Sequence, residues 1–191
     1  MRIGILGGTF DPPHVGHLLA ATDAVDALAL DRLLFVPAAE QPLKAGLGAA
    51  PATDRLAMVR LLAGHDPRFG VDAIEVERGG LSYTVDTLRA LRDRWQDAAP
   101  LALFLLVGAD VAATLPKWRD PDAVAQLAET VMLTREGGSE GLPPGVARCL
   151  RTRRVDVSST EIRARLRAGR SIRGFVPDAV ADYIATTGLY Q

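Results

Sequence analysis

Apolar residues in this chain follow two habits. Some form short unbroken runs, and others recur every three or four positions. Residues 2–7 are an unbroken run carrying β-branched Ile3 and Ile5, and they read as a buried strand. From Val15 the spacing turns helical, with Leu18, Leu19, Ala21, Thr22, Val25 and Leu28 on neighbouring faces. Residues 31–38 make a second buried strand, stopped by Pro37, and 39–52 form a loop without period. Thr53 is expected to cap a helix running to about Ala63, with Asp54 suited to its first turn. Residues 71–77 alternate like a strand, and Thr84 could cap a helix over 85–95. Residues 101–108, "LALFLLVG", are apolar on both faces and make the central strand candidate. A short helix broken at Pro116 follows, and Asp120-Pro121 reads as a helix start with proline at its first position. Residues 130–134 and 153–157 give two further strands. Two helices, from Ser159 and from Pro177, close the chain.

Strands alternating with helices, several of them without a polar face, predict an α/β fold. Its expected form is a doubly wound parallel sheet with helices on both faces and a small helical C-terminal part at about 158–191. A length of 191 residues suits one domain spanning 1–191. Hydrophobic residues at 48% speak against disorder. A formal charge of -1 speaks against binding nucleic acid through a broad basic surface. No apolar run approaches the roughly 18 residues of a membrane span. Cys149 is the only cysteine, which excludes an internal disulfide and a thiolate zinc site, and a reducing cytoplasm fits. Oligomeric state stays open, because the apolar C-terminal helix suits either a core or an interface between copies.

The chemistry gathers in "GGTFDPPHVGH" at 7–17, directly after the first strand. In open parallel sheets ligands bind beyond the carboxyl ends of strands, where helices begin. Gly7 and Gly8 let the backbone turn and let a ligand approach the amides, and Pro12 and Pro13 stiffen the approach. His14 and His17 stand three residues apart on one face of the first helical turn, with Gly16 placing no side chain between them. The exposed amides and the positive dipole end there favour phosphate. Two histidines can also bind metal or simply pack, but a metal site wants a third ligand, and His65 is remote in sequence. Imidazoles that donate to oxygens gaining charge fit phosphoryl or nucleotidyl transfer.

A second segment, "DVSSTEIRARLRAGRS" at 156–171, has Ser158 and Glu161 in capping-box relation. A helix starting at Ser159 puts Ser159 and Thr160 at its amino end and Arg163 one turn on, so hydroxyls, amides and a guanidinium converge. The bland reading is a well-capped surface helix.

The histidine turn resembles the (T/H)xGH motif of the nucleotidyltransferase superfamily, whose fold is Rossmann-like. "VSSTEIR" matches the superfamily's partner segment. Neither GxGxxG nor GxxxxGK(S/T) occurs, so dehydrogenase and P-loop readings lose their support. "ERGGLSYTVDTL" at 77–88, "GADVAATLPKW" at 108–118, "LTREG" at 133–137 and the C-terminal "VPDAVADYIATTGLY" resemble bacterial nicotinate mononucleotide adenylyltransferases over nearly the whole chain. The resemblance implies transfer of AMP from ATP to nicotinate mononucleotide, giving deamido-NAD and pyrophosphate in NAD biosynthesis. It implies His14, His17 and Arg163 as catalytic residues. Gly7, Gly8, Thr9, Phe10, Gly108, Asp110, Ser159 and Thr160 would bind ATP. Lys44, Tyr83, Thr84, Trp118 and Arg135 would bind the mononucleotide, with Trp118 stacking on the pyridine ring. The loop reads "AEQPLK" where the family often has "PPHK", so Lys44 stands without the usual histidine. Mg²⁺ is expected on the ATP phosphates, with no protein cage. Two rivals stay in view: another phosphorylated acceptor, such as nicotinamide mononucleotide or phosphopantetheine, and a nucleotide-sensing module without turnover. Asp11 reads only as a turn former.

Overall fold

The structure is a computed structural model and describes residues 1–42, 49–64, 66–97, 100–134 and 141–191. Among the described residues, six strands form one sheet: β1 (Arg2–Gly8), β2 (Arg32–Pro37), β3 (Phe69–Val71), β4 (Ala102–Gly108), β5 (Glu129–Thr134) and β6 (Arg148–Arg151). Every pairing is parallel, in the order β3-β2-β1-β4-β5-β6. The order reverses between β1 and β4, where an open sheet forms its ligand crevice at the carboxyl ends of the strands. Among the described residues, eight α-helices accompany the sheet: α1 (Val15–Leu28), α2 (Ala52–Ala63), α3 (Ile74–Arg78), α4 (Thr84–Arg94), α5 (Ala109–Ala112), α6 (Pro121–Leu127), α7 (Ser159–Arg167) and α8 (Asp178–Thr187).

The unbroken apolar runs are strands covered on both sides. Leu33 and Phe35 point into one layer with Leu6, Phe104 and Leu106, against Ala24 and Leu28 of α1 and Met58 and Leu62 of α2. Leu34 and Val36 point the other way with Ile3, Ile5 and Leu105, against Leu88 and Leu91 of α4 and Val124 of α6. Alternation along a strand delivers its residues to opposite faces, and here both faces are dry. The C-terminal helices join the first layer, because Ile162 of α7 and Val180 and Ile184 of α8 pack into it.

Five local expectations change. Thr53 lies inside α2, whose N-cap is Pro51. The strand expected at 71–77 ends at Val71, and 74–78 is helical. The Asp72 carboxylate accepts from the Ile74 amide at 3.0 Å, and that local turn competes with continued extension. Thr84 is the first residue of α4, and Tyr83 is its N-cap. Pro116 does not break a helix; it sits at the start of a 3₁₀ turn, Leu115–Lys117, where its missing N–H costs nothing. The last strand is Arg148–Arg151 rather than 153–157. The Arg153 amide and side chain are held by Asp23, which fixes 153 in irregular structure.

Candidate active site

β1 ends at Gly8, and the chain turns through a buried Phe10 in the left-handed region (φ 52°) before α1 begins. His14 is the extended N-cap of α1, and His17 sits one turn in. The His14 amide donates to His17 Nδ1 at 3.2 Å. An Nδ1 that accepts carries no proton, so the ring hydrogen of His17 is on Nε2, which is then a donor. The two imidazoles lie 3.8 Å apart between centroids, and the Phe10 ring meets His17 edge-on at 5.0 Å. Phe10 thus braces a histidine with its ring. Gly16 leaves room for the His14 ring: a Cβ there would stand 3.0 Å from His14 Nδ1 and 3.1 Å from Cε1 and would push the imidazole by a few tenths of an ångström. The Thr9 hydroxyl donates to Gln41 Oε1 at 2.9 Å.

The second motif folds onto the first. Ser158 caps α7 by accepting from the Glu161 amide at 3.1 Å, as the capping-box spacing requires. The Ser159 hydroxyl donates to the Pro12 carbonyl at 2.8 Å, and Arg163 Nη1 donates to the Asp11 carbonyl at 2.6 Å. Arg163 Nη2 lies 3.4 Å from Thr160 Oγ1. The Ser159 hydroxyl proton is therefore directed at Pro12, and Ser159 is the first residue of α7. The Asp11 carboxylate is 8% exposed in its residue and accepts from the Ala50 amide at 3.1 Å and the Tyr190 hydroxyl at 2.7 Å. Burial, together with that bond to Asp11, pushes the Tyr190 hydroxyl's pKa well up.

Two supports escaped sequence reasoning. Arg55 of α2 is only 2% exposed and donates to four carbonyls: Thr9 at 2.8 Å, Ala38 at 2.6 Å, Ala39 at 2.7 Å and Ala50 at 2.9 Å. Burial lowers its pKa from the usual value, yet an arginine remains a cation. It ties the loop after β1 to the loop after β2. Because the Thr9 carbonyl points at Arg55, peptide planarity turns the Phe10 N–H to the opposite side. Glu75 of α3 is also buried; it accepts from Thr87 Oγ1 at 2.6 Å and from the Ser82 hydroxyl. Burial raises the Glu75 carboxyl, with those two bonds opposing. Ser82 in turn accepts from the Ala39 amide at 3.0 Å, so the turn before α4 hangs on the same β2 loop.

Gly108, Asp110 and Trp118 lie at and after the end of β4, and Tyr83 and Thr84 lie at the start of α4. Gly108 ends β4, and a Cβ there would lie 2.8 Å from Asp110 Oδ1, so glycine is what lets that carboxylate fold back over the strand end. Trp118 is half-buried and packs against the second core layer, with its indole N–H donating to Thr114 Oγ1 at 3.0 Å. Its neighbour Arg119 lies over the Tyr83 ring at 4.8 Å, which sets the Trp118 segment beside Tyr83 and Thr84. Gly7 is exposed at the end of β1. Lys44, Arg135 and His65 lie outside the described residues. Among the described residues, no group of three or more His, Cys, Asp or Glu side chains is placed to hold a metal ion. No described helix is long and apolar enough to cross a membrane.

A parallel sheet whose β1 exit carries paired histidines and a docked arginine helix has the plan of a nucleotidyltransferase. A family model described as cytidylyltransferase-like matches residues 5–165, and the chain belongs to that family. Within it stand the nicotinate-nucleotide adenylyltransferases. A protein of Gemmatimonas aurantiaca named "Probable nicotinate-nucleotide adenylyltransferase" is 55% identical over all of this chain and 93% of its own length. A Thermus thermophilus protein of the same name is 45% identical over the full length of both. Among solved structures, the Plasmodium falciparum nicotinic acid mononucleotide adenylyltransferase complexed with NaAD superposes with a TM-score of 0.81. It covers 99% of this chain and 97% of its own at 16% identity, a likeness of fold.

Proposed function

We infer that the protein is a nicotinate-nucleotide adenylyltransferase, transferring AMP from ATP to nicotinate mononucleotide with release of pyrophosphate. The observation that carries the reading is the docking of α7 on the histidine turn, through Arg163 to Asp11 and Ser159 to Pro12. Full-length relatives of this name support the choice of acceptor.

An oxygen of the mononucleotide phosphate attacks the α-phosphorus of ATP in line. The new P–O–P bond forms as the bond to the β-phosphate oxygen breaks, and pyrophosphate departs. The attacking phosphate is already ionised near neutral pH, so no general base is needed. Catalysis is positioning and charge stabilisation. His17, held by the His14 amide, directs its Nε2 hydrogen at the reacting phosphate oxygens, and His14 lines the same cradle. Thr9 and Phe10 offer backbone on one side, while Thr160, Arg163 and the Ser159 amide steady the leaving group. Gly108 and Asp110 serve the nucleoside of ATP. Tyr83, Thr84 and Trp118 receive the pyridine carboxylate and ring, with Lys44 and Arg135 as further cations for the mononucleotide. Mg²⁺ would arrive on the ATP phosphates, and the cations and amides around the histidine turn would share the phosphate charge with it.

Steady-state kinetics with nicotinate and nicotinamide mononucleotides test the reading. Deamido-NAD and pyrophosphate should form in equal amounts, with the acid as the better acceptor. Turnover confined to a different phosphorylated acceptor would overturn it.

A further inference from the structure

The C-terminal residues reach back to the phosphate turn. α8 ends at Thr187; its C-cap Gly188, in the left-handed conformation (φ 68°, ψ 21°), reverses the chain, and Tyr190 then lands on Asp11. Asp11 has two sides. Its Oδ1 accepts from the Tyr190 hydroxyl at 2.7 Å and the Ala50 amide at 3.1 Å. Its Oδ2 stands 3.6 Å from Arg163 Nη1, whose close bond goes instead to the Asp11 carbonyl. The Arg163 side chain keeps 30% of its surface exposed, and that of Asp11 keeps 10%. A carboxylate this close to a guanidinium can close into a tight pair, which would draw the cation away from an incoming phosphate.

We propose that Tyr190 is a positioning residue, whose hydroxyl holds the Asp11 carboxylate out of a closed pair with Arg163 and so keeps that guanidinium turned to the triphosphate. The inference rests on the ATP half of the reading above and is independent of the acceptor. Tyr190→Phe removes one hydroxyl and keeps the ring, which packs on the first core layer. With the hydroxyl gone, Asp11 turns on Arg163.

Calorimetric titration of the full chain with Mg-ATP, without acceptor, tests this. Tyr190→Phe should bind ATP roughly tenfold more weakly, the scale of one hydrogen bond to a charged group. Tyr190→Phe combined with Asp11→Asn should return to within about threefold of the unchanged protein, because asparagine cannot neutralise Arg163. Asp11→Asn alone should bind no more weakly than the unchanged protein, and it reads the same contact should the double variant fold poorly. Unaltered affinity in Tyr190→Phe, or no recovery in the double variant, overturns the proposal, whereas a loss that Asp11→Asn repairs is not what a merely structural role produces. An unchanged protein that binds ATP but fails to use nicotinate mononucleotide would sink the acceptor reading and leave this one standing.

Discussion

Arg163 and Asp11 are 152 residues apart in the chain, yet the guanidinium of one donates to the backbone carbonyl of the other at 2.6 Å. That bond uses Nη1 and leaves Nη2 beside Thr160. One planar fork thus fixes the histidine turn and still presents a cation. A lysine carries the charge but cannot do both. Arg163→Lys should lower kcat at least tenfold, scaling as the loss of a charge-assisted donor. A kinetic comparison at saturating ATP would read it.

Trp118 is anchored at its indole nitrogen by Thr114, so its ring plane is set before any ligand arrives. Trp118→Ala should raise KM for nicotinate mononucleotide about tenfold, the upper scale of an aromatic stacking contact, and change KM for ATP little. An unaltered acceptor KM would take Trp118 out of the pocket.

Arg55 should matter to stability as much as to rate. Arg55→Ala leaves four carbonyls to find new partners, two of them at 2.6 and 2.7 Å from the guanidinium. The loss should be about 3–5 kcal/mol, or roughly 10 °C in melting temperature for a chain of this size. Thermal unfolding followed by circular dichroism measures it.

Glu75 makes stability depend on pH in an unusual direction. Burial raises its carboxyl in the folded state, so the folded chain holds the proton more tightly than the unfolded one. Between the ordinary glutamate range and the raised folded value, stability from this group falls as pH rises, and the penalty is complete above the folded value. Glu75→Gln should remove that decline, narrowing or reversing the difference in melting temperature as pH goes up. Parallel melting profiles for the two proteins across that window would contradict it.

The fold was legible because β1, β2 and β4 are nearly pure apolar runs and two helices start at readable caps, Asp120 with Pro121 and Ser158 with Glu161. The failures have physical causes. Residues 71–77 alternate like a strand, but Asp72 starts a turn and Glu75 is bonded to Thr87, so 74–78 became helix. Residues 153–157 carry β-branched valines, but Arg153 is held by Asp23 of α1. The two motifs were visible in sequence, and Gly16 read as leaving the space between the histidines clear. Arg55 and Glu75 were not, because a charged residue on a helix ordinarily faces water, and only the folded loops reveal which carbonyls and hydroxyls want partners. Asp11 read as a turn former, with nothing in its neighbourhood announcing a hydrogen bond to the penultimate residue of the chain.

The most direct test follows a label. ATP carrying a labelled α-phosphate is mixed with nicotinate mononucleotide and excess enzyme, and a single turnover is quenched at intervals. The label should pass into deamido-NAD at a rate that His17→Ala cuts by about 10²–10³, the cost of one preorganised donor, without loss of the folded state. Label that stays in ATP, or that transfers equally fast without the His17 imidazole, would contradict the account.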